Sequence, residues 1–248
     1  MSPVGPTYSP PPASAALVKG VKFSTAHSVG KKYVDRFARW DALEDEKDES
    51  KQDKNNCKGL LQFPDNTLFW ESKMALDTDG ATNPVVIGGD KTHLQATSLK
   101  FADGKSIDAE FVPFFVVPTY DDPESEKPAF ERSGDNFVKD FKLAHGTLGV
   151  VVFGGKRVGA IFADEGPPMK IGETSIRVHE ALRKPPRPWA DANKTKLIDS
   201  GEERGVLYFV FVGQVFDIEA YGSGKLAEMA KAIDQRACAL FDSRFPTM

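Results

Sequence analysis

Cysteine is almost missing from this chain: there are two in 248 residues, Cys57 and Cys238, with no C-x-x-C spacing. That excludes a zinc ribbon or a thioredoxin-like redox pair, and so cysteine-poor a chain is expected to hold two free thiols rather than a bridge. Histidine is scarce as well. His27, His93, His145 and His179 are scattered without metal-ligand spacing, so each reads as structural or surface, and only His179, near Glu173, stands out. There is no G-x-S-x-G elbow, no H-E-x-x-H, no P-loop and no G-x-G-x-x-G following a strand. No metal or cofactor is expected. Long apolar runs are absent too. The longest, such as residues 206–212, are strand-sized and too short to span a bilayer. Residues 1–22 lack the basic start and apolar stretch of a secretory signal, so the chain reads as soluble. Nor is there an excess of positive charge: the net charge of -4 argues against a nucleic-acid partner, which needs a basic face.

What is present has the composition of an ordinary globular chain, 40% hydrophobic and 27% charged. A Pro- and Ser-rich start makes residues 1–20 an extended arm, ahead of one domain over residues 21–248. Val29, Tyr33, Val34, Phe37 and Trp40 recur at helical spacing, which predicts an amphipathic helix within residues 26–43. The polar run 44–56 reads as a solvated loop. Short Val-, Phe- and Ile-rich runs follow, predicting strands at 60–63, 67–70, 85–87, 111–117, 149–153, 158–163 and 206–212. Gly154-Gly155 signals a hairpin between two of them. Leu226, Met229, Ala230, Ile233, Ala237, Leu240 and Phe241 share one face of a helix expected over 225–242, with small residues suited to close packing on a sheet.

The chemistry points to carboxylates. One strand of the hairpin ends in Ala163-Asp164-Glu165-Gly166, and Pro167-Pro168 forces a loop that ends at Gly172-Glu173 before a predicted helix through Leu182. Asp164 and Glu173 could therefore face one cleft, as a glycoside-hydrolysing pair must. The alternative on spacing alone is a turn residue and a helix-terminal acid. Asp77-Thr78-Asp79-Gly80 is a second acidic knot, either a tight loop or a sugar-binding pair. It lacks the remainder of an EF-hand pattern.

In order along the chain, Phe69-Trp70-Glu71-Ser72-Lys73-Met74 with Leu76-Asp77-Thr78-Asp79-Gly80-Ala81, then Gln95-Ala96-Thr97-Ser98, then Val112-Pro113-Phe114-Phe115-Val116-Val117-Pro118 carry a likeness. So do Ala163-Asp164-Glu165-Gly166 with Lys170-Ile171-Gly172-Glu173-Thr174-Ser175-Ile176, and Val206-Leu207-Tyr208-Phe209-Val210-Phe211-Val212-Gly213. Together these segments resemble the glycoside hydrolase family 75 chitosanases. The nine-residue step from Asp164 to Glu173 is the most specific element. The resemblance implies an endo-acting chitosanase that cleaves β-1,4 links with inversion and without metal, using Asp164 and Glu173. Either carboxyl could be the acid; the assignment adopted gives that role to Glu173 and water activation to Asp164. Asp77, Asp79, Glu165 and Trp70 are the expected substrate-side residues: the aspartates for cationic glucosamine, Trp70 for stacking unless it takes a core role, and Glu165 as a neighbour that keeps the acid protonated. A monomer acting on an amino-sugar polysaccharide follows. Its place would be extracellular by substrate, or cytoplasmic for want of an export signal. Fungal members carry a signal peptide and several cysteines, and the stretches 44–54, 183–188 and 193–204 lie outside the match. The fold expected is α+β, with a β-rich core: a small six-stranded β-barrel, the double-psi form being one option, with flanking helices. The alternatives are a non-catalytic carbohydrate-binding or interaction protein on the same scaffold, and a lytic enzyme acting on peptidoglycan.

Overall fold

The apolar runs pair into one eight-stranded sheet in the computed structural model, which describes residues 8–40, 57–119, 134–185, 187–198 and 203–247. The strands are β1 (His27–Ser28), β2 (Lys58–Gln62), β3 (Thr67–Asp77), β4 (Phe114–Pro118), β5 (Thr147–Phe153), β6 (Lys156–Gly166), β7 (Glu173–Ser175) and β8 (Glu203–Val215). They are ordered β1-β2-β3-β7-β4-β6-β5-β8, and β8 also pairs with β3. Six strands therefore close into a barrel, and β1 and β2 extend its wall. The β3–β7 and β4–β6 pairs are parallel, and the remaining barrel pairs are antiparallel. The helices are α1 (Pro12–Ala15), α2 (Lys31–Trp40), α3 (Pro84–Gly89), α4 (Phe137–Asp140), α5 (Ile176–Leu182) and α6 (Leu226–Arg244). This is the β-rich α+β barrel with flanking helices that the sequence predicts.

Local chemistry explains the regular parts. Gly154 and Gly155 have φ of 58° and 78°, the positive values a two-residue primed turn needs, and Phe153 pairs with Lys156 across them. Alternate strand residues feed two apolar clusters. One gathers Phe69, Phe114, Val116, Val150, Ile161 and Phe209 with Met229, Ile233, Ala237 and Phe241 of α6. The other gathers Trp70, Phe115, Val151, Phe162 and Tyr208 with Tyr33 and Phe37 of α2 and Phe137 of α4. Cys57 and Cys238 are free thiols, as expected. Among the described residues no helix is long and apolar enough to cross a membrane.

Three local expectations need correction. Residues 85–87 are helical, not extended: Pro84 occupies the first turn of α3 and Asn83 caps it, accepting the Val85 N–H at 3.0 Å. The cap and the proline outweigh the β-preference of Val-Val-Ile. The predicted 26–43 helix begins only at Lys31, residues 27–28 being β1. Residues 8–20 are not a free arm. Tyr8 packs against Phe23 and Phe69 and donates its hydroxyl to Glu71 at 2.5 Å, and Val18 is buried. Residues 1–7 and the polar run at 44–56 lie outside the described residues.

Candidate active site

Val116 on β4 organises the site. It lies opposite Asp164 of β6 on one side and opposite Glu173 of β7 on the other. Directly paired residues share a sheet face, so both carboxylates leave the sheet on the same side. Two interstrand spacings of ~4.8 Å set their backbones about 10 Å apart. A register shift makes this possible. Phe115 pairs with Phe162 but Val116 pairs with Asp164, so Ala163 is an extra residue on β6. In an unshifted ladder Val116 would meet Ala163, and Asp164 would point to the other face. The Ala163 carbonyl instead accepts the Leu99 N–H at 2.9 Å.

β7 is three residues long and is fixed at its start by Gly172. Gly172 has φ +88°, and a Cβ there would sit 2.3 Å from Ser72 Oγ and 2.4 Å from the Lys73 carbonyl. Only glycine lets the chain pass this close to β3. The Gly172 carbonyl accepts the Ala75 N–H at 2.8 Å, and Ala75 stands directly across from Glu173. By alternation Lys73 and Asp77 share the face of Ala75, so β3 supplies a cation and a third carboxylate.

The carboxylates are held differently. Asp164, 5% exposed, accepts three hydrogen bonds at Oδ1, from Ser98 N–H (2.8 Å), Ser98 Oγ (2.6 Å) and its neighbour Glu165 N–H (2.8 Å). Asp77, 6% exposed, accepts the Asp79 N–H at 2.7 Å, and Asp79 accepts the Leu94 N–H at 2.7 Å. Carboxylate oxygens of Asp77, Asp79 and Asp164 all lie within 4.8 Å of one another. Burial, reinforced by Glu173, Asp79 and Asp164, pushes the Asp77 carboxyl well above the usual range. Burial likewise raises Glu173 to about 7, against the pull of Lys73 and Lys170 and with the help of Asp79 and Asp164. Burial raises Asp79 to about 6, tempered by the Leu94 N–H. So much negative charge in one place holds protons near neutral pH, and it would accept an ammonium group or a metal cation as a counter-charge.

The structure thus brings Asp77, Asp79, Asp164 and Glu173 together. It does not bring in the other two expected residues. Trp70 is fully buried, its ring stacked on Tyr208 at 5.1 Å between centroids and edge-on to Phe115 and Phe137. It is a core residue and offers no face to a sugar. Glu165 pairs with Val117, on the opposite face from Asp164. There its carboxylate accepts the Thr119 hydroxyl at 2.8 Å and lies 3.3 Å from His145 Nε2, close enough to pair but not aligned as a hydrogen bond. Keeping Glu173 protonated falls instead to burial, Asp79 and Asp164. Sequence reasoning missed Ser98 as the residue that orients Asp164, and Lys73 as a cation of the site beside Lys170. Period-two alternation from Asp77 back to Lys73 was the signal for the latter. No protein-family profile matches the chain, and no curated protein matches it.

Proposed function

We propose that this protein is an inverting endo-chitosanase of the glycoside hydrolase family 75 type, in which Glu173 is the general acid and Asp164 the general base. The observation that carries the proposal is the placement of these two carboxylates on one face, either side of Val116. Backbones about 10 Å apart suit the roughly 6.5–9.5 Å carboxyl separation of inverting enzymes, which leaves room for a water, better than the roughly 5 Å of retaining ones. A carboxyl raised to about 7 keeps its proton near neutral pH and can pass it to the leaving glycosidic oxygen. Asp164 is fixed through Oδ1 by Ser98 and the Glu165 N–H, leaving Oδ2 to take a proton from the attacking water. Asp77 and Asp79 would receive the ammonium groups of glucosamine units through charge-assisted hydrogen bonds, which selects a cationic polysaccharide.

One observation favours a second reading, a carbohydrate-binding protein without turnover: Asp164 is largely buried. Its partners are hydrogen-bond donors rather than a cation, which weakens that reading. The deciding experiment incubates the purified protein with chitosans of graded acetylation and follows viscosity and reducing ends. A rapid fall in viscosity that is lost in Asp164→Asn and Glu173→Gln supports the enzyme. Binding without cleavage at every acetylation and pH sinks it in favour of the binder. Cleavage of peptidoglycan alone would keep the chemistry and replace the substrate.

A further inference from the structure

β7 is too short to hold Glu173 in place by its own ladder. It makes three register pairs with β3 and two with β4, and the chain turns at once into α5. Its front is fixed by Gly172. Behind it, the Ser175 hydroxyl donates to the Val112 carbonyl at 2.9 Å and accepts the Phe114 N–H at 3.1 Å, tying the strand to β4 and the segment before it. The tie to β3 comes from α5. His179 is fully buried, and its Nε2 lies 3.1 Å from the Ala75 carbonyl, while Nδ1 lies 3.4 Å from Nη1 of the buried Arg183. A carbonyl only accepts and a guanidinium only donates, so the two contacts dictate one tautomer: Nε2 carries the hydrogen and Nδ1 is the acceptor. Ala75 is the residue directly opposite Glu173. Its N–H is bound by the carbonyl before Glu173 and its carbonyl by the helix after Glu173.

We infer that His179 is a positioning residue for Glu173: as a neutral, single-tautomer hydrogen-bond donor to Ala75, it clamps the β7–α5 corner onto β3 and so fixes the acid among Lys73, Asp77, Asp79, Asp164 and Lys170. The chemical assignment of Glu173 rests on the proposed function; the clamp does not. His179 takes no proton in the reaction. Burial holds its imidazole down to about 3, so it stays uncharged across the working range. A carboxyl displaced by even an ångström changes both its proton affinity and its reach to the glycosidic oxygen.

The test combines nuclear magnetic resonance with kinetics on the full chain. In the unaltered protein the His179 ring nitrogens should report an Nε2–H tautomer that does not titrate between pH 5 and 8; an Nδ1–H tautomer or a midpoint in that window overturns the inference. The Glu173 carboxyl carbon is then titrated in three proteins: unaltered, His179→Leu and His179→Gln. Leucine removes the donor, whereas glutamine can give an N–H to Ala75 and accept from Arg183. The expected result is a Glu173 midpoint moved by half a pH unit or more in His179→Leu and returned toward its original value in His179→Gln. If chitosan is cleaved, kcat should fall by about 100-fold in His179→Leu with KM little changed, as a small misplacement of a reacting group allows, and should recover in part in His179→Gln. A folded His179→Leu with an unmoved Glu173 midpoint overturns the clamp. Should His179→Leu not fold, His179→Asn, which can accept from Arg183 but is too short to reach the Ala75 carbonyl, takes its place, and a folded His179→Asn with an unmoved Glu173 midpoint overturns the clamp. Absence of cleavage by the unaltered protein rejects the chitosanase reading and leaves the Glu173 titration to decide the clamp.

Discussion

The two ends of β6 lie in contrasting surroundings. From Lys156 to Ile161 the strand pairs with β5 through six consecutive residues without a shift, and Gly159 N–H is bound by Asp234 of α6 at 2.7 Å. From Phe162 to Gly166 it pairs in parallel with β4, carries the extra residue Ala163 and ends in two acids. An unbroken ladder assigns every side chain to a face by alternation, and here that yields an apolar wall sealed by α6. The broken half gives up a regular register and obtains a carboxylate aimed at the same side as Glu173. Buried like charges are tolerated there because neighbouring strands are short or interrupted and backbone N–H groups can turn to meet them. On the proposed function, stability and chemistry are held by different halves of one strand, so substitutions should separate them.

The widest separation is expected at Glu173. Glu173→Gln should lower kcat on chitosan by about 1000-fold, within the usual range for loss of a general acid. The melting temperature should hold or rise, since the change removes a half-buried acid from among Asp77, Asp79 and Asp164. Paired kinetics and thermal unfolding check both. A parallel fall in activity and melting temperature would mean that the carboxyl serves the fold.

The converse holds in the sealed half. Phe209, fully buried between Phe69 and Phe241 with ring centroids at 4.9 and 5.0 Å, anchors the α6 side of the barrel. Phe209→Ala should cost about 3–5 kcal/mol, read by denaturant unfolding, with activity per folded molecule unchanged. Gly172→Ala should fall between the halves. Its Cβ would collide with the Lys73 carbonyl, so about 1–3 kcal/mol of stability and most of the activity should go together. A Gly172→Ala variant that folds and turns over normally would show that β7 does not need this close passage.

Legibility follows the same division. The hairpin at Gly154-Gly155 and α6 could be read because each is signalled by residues close in sequence, and the free thiols because cysteine is so scarce. The pairing of Asp164 with Glu173 could be suspected from their spacing. Its completion by Asp77 and Asp79 could be expected only through the family resemblance, because no local pattern announces the parallel β3–β7 contact between distant segments. The shift at Ala163 has no local signature either; alanine before aspartate looks like any strand end. Trp70 carried two readings, a stacking face suggested by an aromatic beside acids and a core role, and the core role is the one observed. Its alternation with Ser72 and Met74 already set it on the face away from Lys73 and Asp77, and it packs with Met74 in the second cluster. Residues 85–87 were misread by trusting β-branched residues over the Asn83-Pro84 cap.

The smallest effect should be the most diagnostic of how the charges are shared. Glu173 rises from 4.5 to about 7 and Asp79 from 3.8 to about 6 in the folded chain, so between roughly pH 4 and 7 these two groups bind more protons in the folded state than in the unfolded one, while His179, held down from 6.5 to about 3, binds fewer. The stability contributed by these two carboxyls falls as pH rises through this window and levels off above it, because the slope follows the excess of protons bound by the unfolded state, which is negative for them and positive for His179. Melting temperature followed from pH 4 to 8 should therefore have a more positive slope in Glu173→Gln than in the unaltered protein, and a more positive one still when Asp79→Asn is added. Turnover should share the upper limit, declining as pH passes about 7 and the acid loses its proton. A chelator should leave both profiles in place if protons and substrate ammonium groups offset the Asp77, Asp79 and Asp164 charge. If instead the chelator introduces a loss of stability above pH 7, a divalent cation occupies those three carboxylates, and the charge of the broken half of β6 is met by metal rather than by protons.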